Sequence, residues 1–264
     1  MKNILLLVHD DHGQEARFQA ALDITRAIEG HLTCIDVTPY PVIAGDGFGF
    51  AETVVVLDER DSEAKNKSLI SEQLSREDVS WSWLDVTDEI AGAVLDAADL
   101  ADLIILNCAL DGFPLPDMRD ITSRIVSRAS APVLAVPETL ERFELERALV
   151  AWDGRPSSAA ALRAAVPLLT FAKEVEIFAA QGPGNHTAPE EAALYLSRHG
   201  IKASIRSTDI GKFHADFLIA DEAVLFDADY IVMGAYGRGR LRETFGGTTK
   251  NLLTKSKHPL LMSH

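Results

Sequence analysis

The densest chemistry in the chain lies near its end, where Gly234-Ala235-Tyr236-Gly237 is followed, nine residues on, by Gly247-Thr248. Glycines at such positions let backbone N–H groups come close to an anion, and a helix N-terminus behind them adds partial positive charge. Arg238, Arg240, Arg242 and Lys250 share the stretch with one opposing charge, Glu243, so residues 234–250 sum to +3. That is the chemistry of phosphate binding. The stretch follows an apolar run and precedes a helix expected from Thr249 to about Lys255. Because Gly246 and Gly247 are adjacent, the phosphate-contacting pair can be read as Gly247-Thr248 or as Gly246-Gly247.

Asp153 is the second candidate. It ends an apolar run, and in an open α/β sheet ligands bind beyond the carboxyl ends of the strands, where the strand order reverses. If the first and fourth strands of its unit are neighbours, Asp153 faces the glycine loop. A carboxylate there suits a ribose hydroxyl or an adenine amino group, whereas it would repel phosphate. The competing role is to cap the helix that begins near Ser157.

Other signals carry less. His9-Asp10-Asp11-His12 has metal-binding residue types, yet four consecutive residues at a strand end rarely converge on one ion, and they read as a solvated loop. Trp81 and Trp83 fall on one face of a strand and read as packing. Cys34 and Cys108 sit in apolar surroundings and make neither a disulfide framework nor a metal site. Neither Gly-x-Ser-x-Gly nor Gly-x4-Gly-Lys-Ser/Thr occurs, and no Gly-x-Gly-x-x-Gly follows a first strand, so a hydrolase elbow, a P-loop and a dinucleotide fingerprint are all unsupported.

The elements that must position these residues come in two similar sets. Ile4–Val8 resembles Ala148–Ala151, each an apolar run leading to Asp. Ala101–Leu106 resembles Ala228–Met233, and Ala131–Val136 resembles His258–Ser263, both at an offset of 127 residues. One shared offset means that the segment between the two matches has the same length in both copies. Within the first copy, strands at Ile4–Val8, Leu32–Val37, Val79–Val86, Leu103–Leu106 and Val133–Val136 alternate with helices at Gln14–Glu29, near Ser62–Arg76, at Asp88–Leu100 and at Ile121–Ala129. Gly30 is the expected stop of the first helix. The second copy repeats the order with strands near Ala148–Ala151, Val175–Ala179, Ala203–Ser207, Tyr230–Met233 and Leu260–Met262, and Pro167 is expected to kink its first helix. Such alternation predicts α/β units with parallel sheets and right-handed crossovers. The units are residues 1–137 and 145–264, joined by a linker at Glu138–Glu146.

At these residues the chain resembles the universal stress protein family in its tandem form. The family pattern, Gly-x2-Gly-x9-Gly-Ser/Thr after the fourth strand, is met by Gly234, Gly237, Gly247 and Thr248, and its Asp after the first strand by Asp153. The Pro-led apolar last strands, Pro132–Val136 and Pro259–Met262, also fit. The resemblance implies two Rossmann-like (adenine nucleotide α-hydrolase-like) domains, each a five-stranded parallel sheet of order 3-2-1-4-5. It also implies ATP binding, with or without Mg2+, where the motif is kept: Arg238, Gly246 and Thr249 would lie with the motif residues at the phosphates. Adenine would be held by backbone near Ala179 and Ala180. Last strands often pair between subunits in this family, so the two copies would form an internal pseudo-dimer, and a homodimer of the chain stays open.

In the first copy the offset turns Gly234 into Asn107, Gly237 into Leu110, Gly247 into Asp120 and Thr248 into Ile121. Residues 107–123 sum to −2 and contain two prolines. A loop of that kind repels a triphosphate, so only Asp10 survives of the site. The whole chain carries 25 basic and 40 acidic side chains, a net charge of −15, which speaks against nucleic acid and anionic membranes as partners. The charge is unevenly placed: residues 145–264 hold 14 basic and 13 acidic side chains, residues 1–144 hold 11 and 27. No apolar run approaches the roughly 20 residues of a membrane span, and Met1-Lys2-Asn3-Ile4 leads straight into a strand without a signal-peptide pattern. The expectation is a cytoplasmic, ATP-binding regulatory protein with an unidentified protein partner. The alternative is a slow ATPase or phosphotransferase with Arg238 or Arg240 at the transferring phosphoryl group; the absence of a general base in the motif favours the binding module.

Overall fold

A computed structural model of the chain describes residues 1–38, 64–108, 119–181, 187–209, 211–235 and 242–264, with the backbone alone at 119–120, 181 and 242–246. From the N-terminus, β1 (Asn3–Val8) leads to α1 (Gln14–Ala27), β2 (His31–Thr38), α2 (64–74), β3 (Ser80–Thr87), α3 (Ile90–Ala97), β4 (Leu103–Asn107), α4 (Arg119–Arg128) and β5 (Val133–Val136). The second half runs β6 (Arg147–Trp152), α5 (Pro156–Leu169), β7 (Glu174–Gln181), α6 (Pro189–Arg198), β8 (Ala203–Asp209), α7 (Ala215–Phe226), β9 (Tyr230–Gly234), α8 (Arg242–Lys255) and β10 (Leu260–Ser263).

The ten strands among the described residues join one sheet in the order β3-β2-β1-β4-β5-β10-β9-β6-β7-β8. Each half therefore has the expected order 3-2-1-4-5, and every pairing within a half is parallel. The halves meet through one antiparallel pair, β5 with β10, where Leu134 lies opposite Leu261. Central strands are covered on both faces and so are apolar throughout: all of Leu103–Asn107 is buried. Outer strands have one open face, and in β3 the side chains alternate, with Trp81 and Trp83 packed on the core and Ser80 and Ser82 exposed. The packing role read for the two tryptophans is thus met.

Helices divide between the faces. Phe18 of α1, Ile70 of α2, Ala161 of α5 and Ala192 of α6 pack on one side, and Ile90 of α3, Ile125 of α4, Ile219 of α7 and Leu252 of α8 on the other. Each core runs across both halves. Two carboxylates of the same kind fasten the strand starts: Asp102 accepts from the Asn3 N–H at 2.9 Å, and Asp229 from the Arg147 N–H at 2.7 Å.

Some expected boundaries need correction. Gly30 does not supply the turn that ends α1; Glu29 does, at φ 50°, while the Gly30 N–H closes the motif on the Thr25 carbonyl at 2.9 Å. Gly30 is small because a Cβ would come within 2.7 Å of the Lys2 carbonyl. Pro167, expected to kink this helix, lies inside α5, which continues two residues beyond it to Leu169. The largest difference is α8, which begins at Arg242 instead of Thr249. Arg242 and Glu243 are good helix formers, and they extend the helix backwards through both glycines.

Candidate functional site

The strand order reverses in the C-terminal half between β6 and β9, and Asp153 lies just beyond β6. Its neighbours are fixed by register. Trp152 pairs with Ala179 of β7, and Ala151 pairs with Met233, one residue short of Gly234. Asp153, Ala179 and Gly234 are thereby gathered at the carboxyl ends of three adjacent strands. Ala179 is buried, and the Asp153 side chain keeps 34% of its surface exposed. The carboxylate accepts the Arg155 N–H at 3.0 Å, and the Arg155 guanidinium stands 3.8 Å away.

Gly234 is a glycine because α5 presses on it. A Cβ there would lie 2.5 Å from the Ser158 nitrogen and 2.8 Å from Ser157 Oγ. The start of α5 has Pro156 in its first turn and no side-chain cap on its backbone N–H groups. Ahead of it, Gly154 takes φ 70°, a left-handed turn that glycine adopts without strain. Trp152 donates its indole N–H to the Thr187 carbonyl at 2.9 Å, and the Thr187 N–H reaches the Gly154 carbonyl at 3.2 Å. Gly154, Trp152 and Thr187 were not among the residues singled out from the sequence. The signal for Gly154 was its place directly after the strand-ending Asp.

The N-terminal half fills the corresponding position. Asn107 ends β4 as Gly234 ends β9, and it donates to the carbonyls of Gly13 at 3.1 Å and Val136 at 3.2 Å. Its Oδ1 accepts from Arg17 Nη1, and the Arg17 side chain has no exposed surface at all. The same guanidinium reaches both Asp11 oxygens, at 2.7 and 2.8 Å, and donates through Nε to the Leu7 carbonyl at 2.7 Å. Asp11 also accepts the Gly13 N–H at 2.8 Å, three residues before α1, just as Asp153 does three residues before α5. The counterpart of Asp153 is therefore Asp11 and not Asp10, because the link from β1 to α1 is two residues longer than the link from β6 to α5. The solvated-loop reading of His9–His12 holds for Asp10 and His12, which are exposed, and not for the other two: His9 is buried and the Asp11 side chain is 6% exposed. Among the described residues no His, Cys, Asp or Glu cluster could hold a metal ion.

The phosphate motif is placed in part. Gly237 and Arg238 lie outside the described residues. Gly246, Gly247, Thr248 and Thr249 belong to α8, with Gly247 exposed, Thr248 half-buried and the Thr249 side chain buried. A Cβ added to Gly247 would meet nothing within 4 Å. Among the described residues no packing constraint requires glycine there.

Comparisons with known proteins bear on the fold. Residues 144–264 match the model of the universal stress protein family. A universal stress protein from Archaeoglobus fulgidus DSM 4304 superposes over 99% of this chain and 96% of its own, with 15% identity and a TM-score of 0.74. The cytoplasmic domain of a prokaryotic cation chloride cotransporter does so over 99% and 95%, with 12% identity and a TM-score of 0.50. A universal stress protein from Archaeoglobus fulgidus in complex with dAMP covers 52% of this chain and 98% of its own, at 13% identity and a TM-score of 0.32. No curated protein gives a match. The stretch 144–264 thus belongs to the universal stress protein family, and the whole chain has the fold of the first of these archaeal proteins. No helix among the described residues is long and apolar enough to cross a membrane.

Proposed function

We propose that residues 145–264 form an adenine-nucleotide-binding domain with ATP as its ligand, and that residues 1–137 form a domain of the same fold without that site, serving as its structural and interaction partner. The observation that carries this reading is the contrast between two equivalent strand ends. Gly234 leaves its place at the switch point to the uncapped start of α5, with a part-exposed carboxylate beside it. Asn107 and the buried Arg17 fill the same place in the other half.

Asp153 would take a ribose hydroxyl or the adenine amino group, and backbone near Ala179 would border the base. Gly234, Gly237, Gly246, Gly247, Thr248 and Arg238 would surround the phosphates, and Thr249 would contribute through its backbone, since its side chain is buried. Mg2+ would arrive with the nucleotide, because no carboxylate cluster among the described residues is built to hold it. Two glycines inside α8 each cost helix stability of about 1 kcal/mol relative to alanine. They make the first turns of α8 the segment that nucleotide phosphates can rearrange, so occupancy would bias a surface that a partner reads. This is a regulatory, cytosolic role of the stress-response kind.

Mass analysis of ligand released from denatured, freshly purified protein tests the reading, together with thermal melting in added ATP. Adenine nucleotide is expected in the released fraction, and ATP should raise the melting temperature. If none co-purifies and saturating ATP leaves the melting temperature unchanged, the proposal fails.

A further inference from the structure

Each half of the chain keeps one arginine beside the aspartate at its switch point, but the two arginines stand at different places on the helix that follows. Asp11 and Asp153 accept the N–H groups of Gly13 and Arg155, at 2.8 and 3.0 Å. The Gly13 and Arg155 carbonyls in turn accept the N–H groups of Arg17 and Ala159, at 3.1 and 3.0 Å. Gly13 is thus the counterpart of Arg155, and Arg17 that of Ala159. In the N-terminal half the arginine stands one turn inside α1 with its side chain wholly buried; in the C-terminal half it stands directly before α5 and keeps 30% of its side chain exposed. Gly234 permits the move. A Cβ on Gly13 would lie 2.2 Å from Asn107 Nδ2, and Gly234 has no side chain to raise that obstacle for residue 155.

The two pairings differ in kind. Arg17 Nη1 meets both Asp11 oxygens, at 2.7 and 2.8 Å, and its Nε donates to the Leu7 carbonyl, so that pair is closed within the chain. Arg155 Nε stands 3.8 Å from Asp153 Oδ2, beyond hydrogen-bond range, so charge alone links the two side chains. A carboxylate by itself at this place would repel the phosphates of a nucleotide. Arg155 offsets that charge, and it brings a planar fork of donors, the geometry that fits phosphate oxygens, to the strand ends where Asp153, Ala179 and Gly234 gather.

We propose that Arg155 makes this site select phosphorylated adenosine over adenosine, an inference that rests on the nucleotide-binding reading of residues 145–264. With Asp153 on a ribose hydroxyl, the Arg155 guanidinium pairs with the phosphate carried by that ribose, the one phosphate that AMP, ADP and ATP share. Loss of the guanidinium then acts twice on a nucleotide: a charged hydrogen bond disappears, and the Asp153 carboxylate is left uncompensated beside the phosphate. Adenosine meets neither effect.

Isothermal titration of full-length wild type, Arg155→Gln and Arg155→Lys with adenosine, AMP and ATP tests the proposal, with circular dichroism to confirm folding. Wild type is expected to bind AMP more tightly than adenosine. In Arg155→Gln the ratio of AMP to adenosine affinity should fall about tenfold or more, the worth of a hydrogen bond to a charged group, and the ratio of ATP to adenosine affinity should fall with it. Arg155→Lys, which keeps the charge and loses the fork, should lie between the two. Added salt should weaken AMP binding more in wild type than in Arg155→Gln. If Arg155→Gln leaves the AMP-to-adenosine ratio as it is in wild type, whether both affinities drop together or neither does, the side chain does not read the phosphate and the proposal fails. Wild type that binds ATP but does not prefer AMP to adenosine overturns the proposal alone. Wild type that binds none of the three overturns the nucleotide-binding reading itself, and this proposal with it.

Discussion

Asn107 and Gly234 stand at one and the same position of the two half-sheets, opposite Val136 and Ser263 respectively, and they exchange roles with the helix that packs beside them. In the N-terminal half the strand supplies the side chain and the helix start supplies the glycine, since a Cβ on Gly13 would lie 2.2 Å from Asn107 Nδ2. In the C-terminal half the strand supplies the glycine and the helix start supplies Ser157 and Ser158. Gly234→Asn should force the start of α5 away, costing roughly 1–3 kcal/mol as other overpacked sites do. Urea unfolding would measure the loss, and the shift of melting temperature with ATP should vanish with it. An unchanged stability would mean that α5 does not press on this position.

Asp11 and Asp153 make the same backbone turn but should respond very differently to removal. Asp11→Ala leaves the Arg17 guanidinium buried without its carboxylate, which costs about 3–5 kcal/mol in comparable cases. Asp153→Ala gives up a part-exposed carboxylate and one turn hydrogen bond, so its stability should fall by about 1 kcal/mol or less. Isothermal titration should nevertheless show ATP affinity reduced by Asp153→Ala. Equal destabilisation by the two variants would contradict the distinction between a carboxylate that holds a buried guanidinium and one that does not.

Gly247→Ala separates the demands of the fold from those of a ligand. The new Cβ meets nothing, and alanine is the better helix former, so the protein should gain about 0.5–1 kcal/mol. If the glycine is there for a nucleotide, the same variant should bind ATP more weakly. Gain of stability with undiminished binding would remove Gly247 from the site.

Much of this arrangement was legible in the residues, for a physical reason. Strands such as Leu103–Asn107, buried on both faces, must be written as apolar runs, so the strands and their repeat at an offset of 127 stood out. Arg17 did not. On α1 it lies between Ala16 and Phe18, where a basic side chain usually points to water, and only its spacing of four from Ala21 and seven from Ile24 placed it on the inward face. Asp10 reads as the counterpart of Asp153 because both follow an apolar run. The two extra residues before α1, which move that role to Asp11, change no periodicity. The start of α8 was hidden by chemistry that reads as a helix breaker: two adjacent glycines suggest a loop, yet the helix passes through them.

Cys34 and Cys108 should be inert in the folded protein. Burial pushes both thiols up to about 12, so almost no thiolate exists at pH 8. A thiol-reactive chromogenic disulfide is expected to label neither in buffer and both in denaturant. Rapid labelling of native protein would show that β2 or the end of β4 opens readily.

The pairing of Glu176 with Glu222 gives the C-terminal half a specific dependence on pH. Glu176 on β7 has a buried Oε1, and Glu222 on α7 is 4% exposed. Arg206 of β8 holds Glu222 at 3.0 Å, and Arg147 of β6 adds a weaker positive charge on Glu176. Burial first, and then the neighbouring Glu222 carboxylate, raise Glu176 above the ordinary glutamate range. A carboxyl raised in this way binds its proton more readily in the folded chain than in the unfolded one. Its contribution to stability is therefore complete below the ordinary glutamate range and is lost as pH rises through the raised value. Glu176→Gln removes the carboxyl that titrates and leaves an uncharged amide in its place at any pH. Melting temperatures measured from pH 4 to 8 should show the variant close to wild type at the acid end and more stable at the neutral end. Curves that run parallel across the whole range would mean that the two carboxylates do not interact.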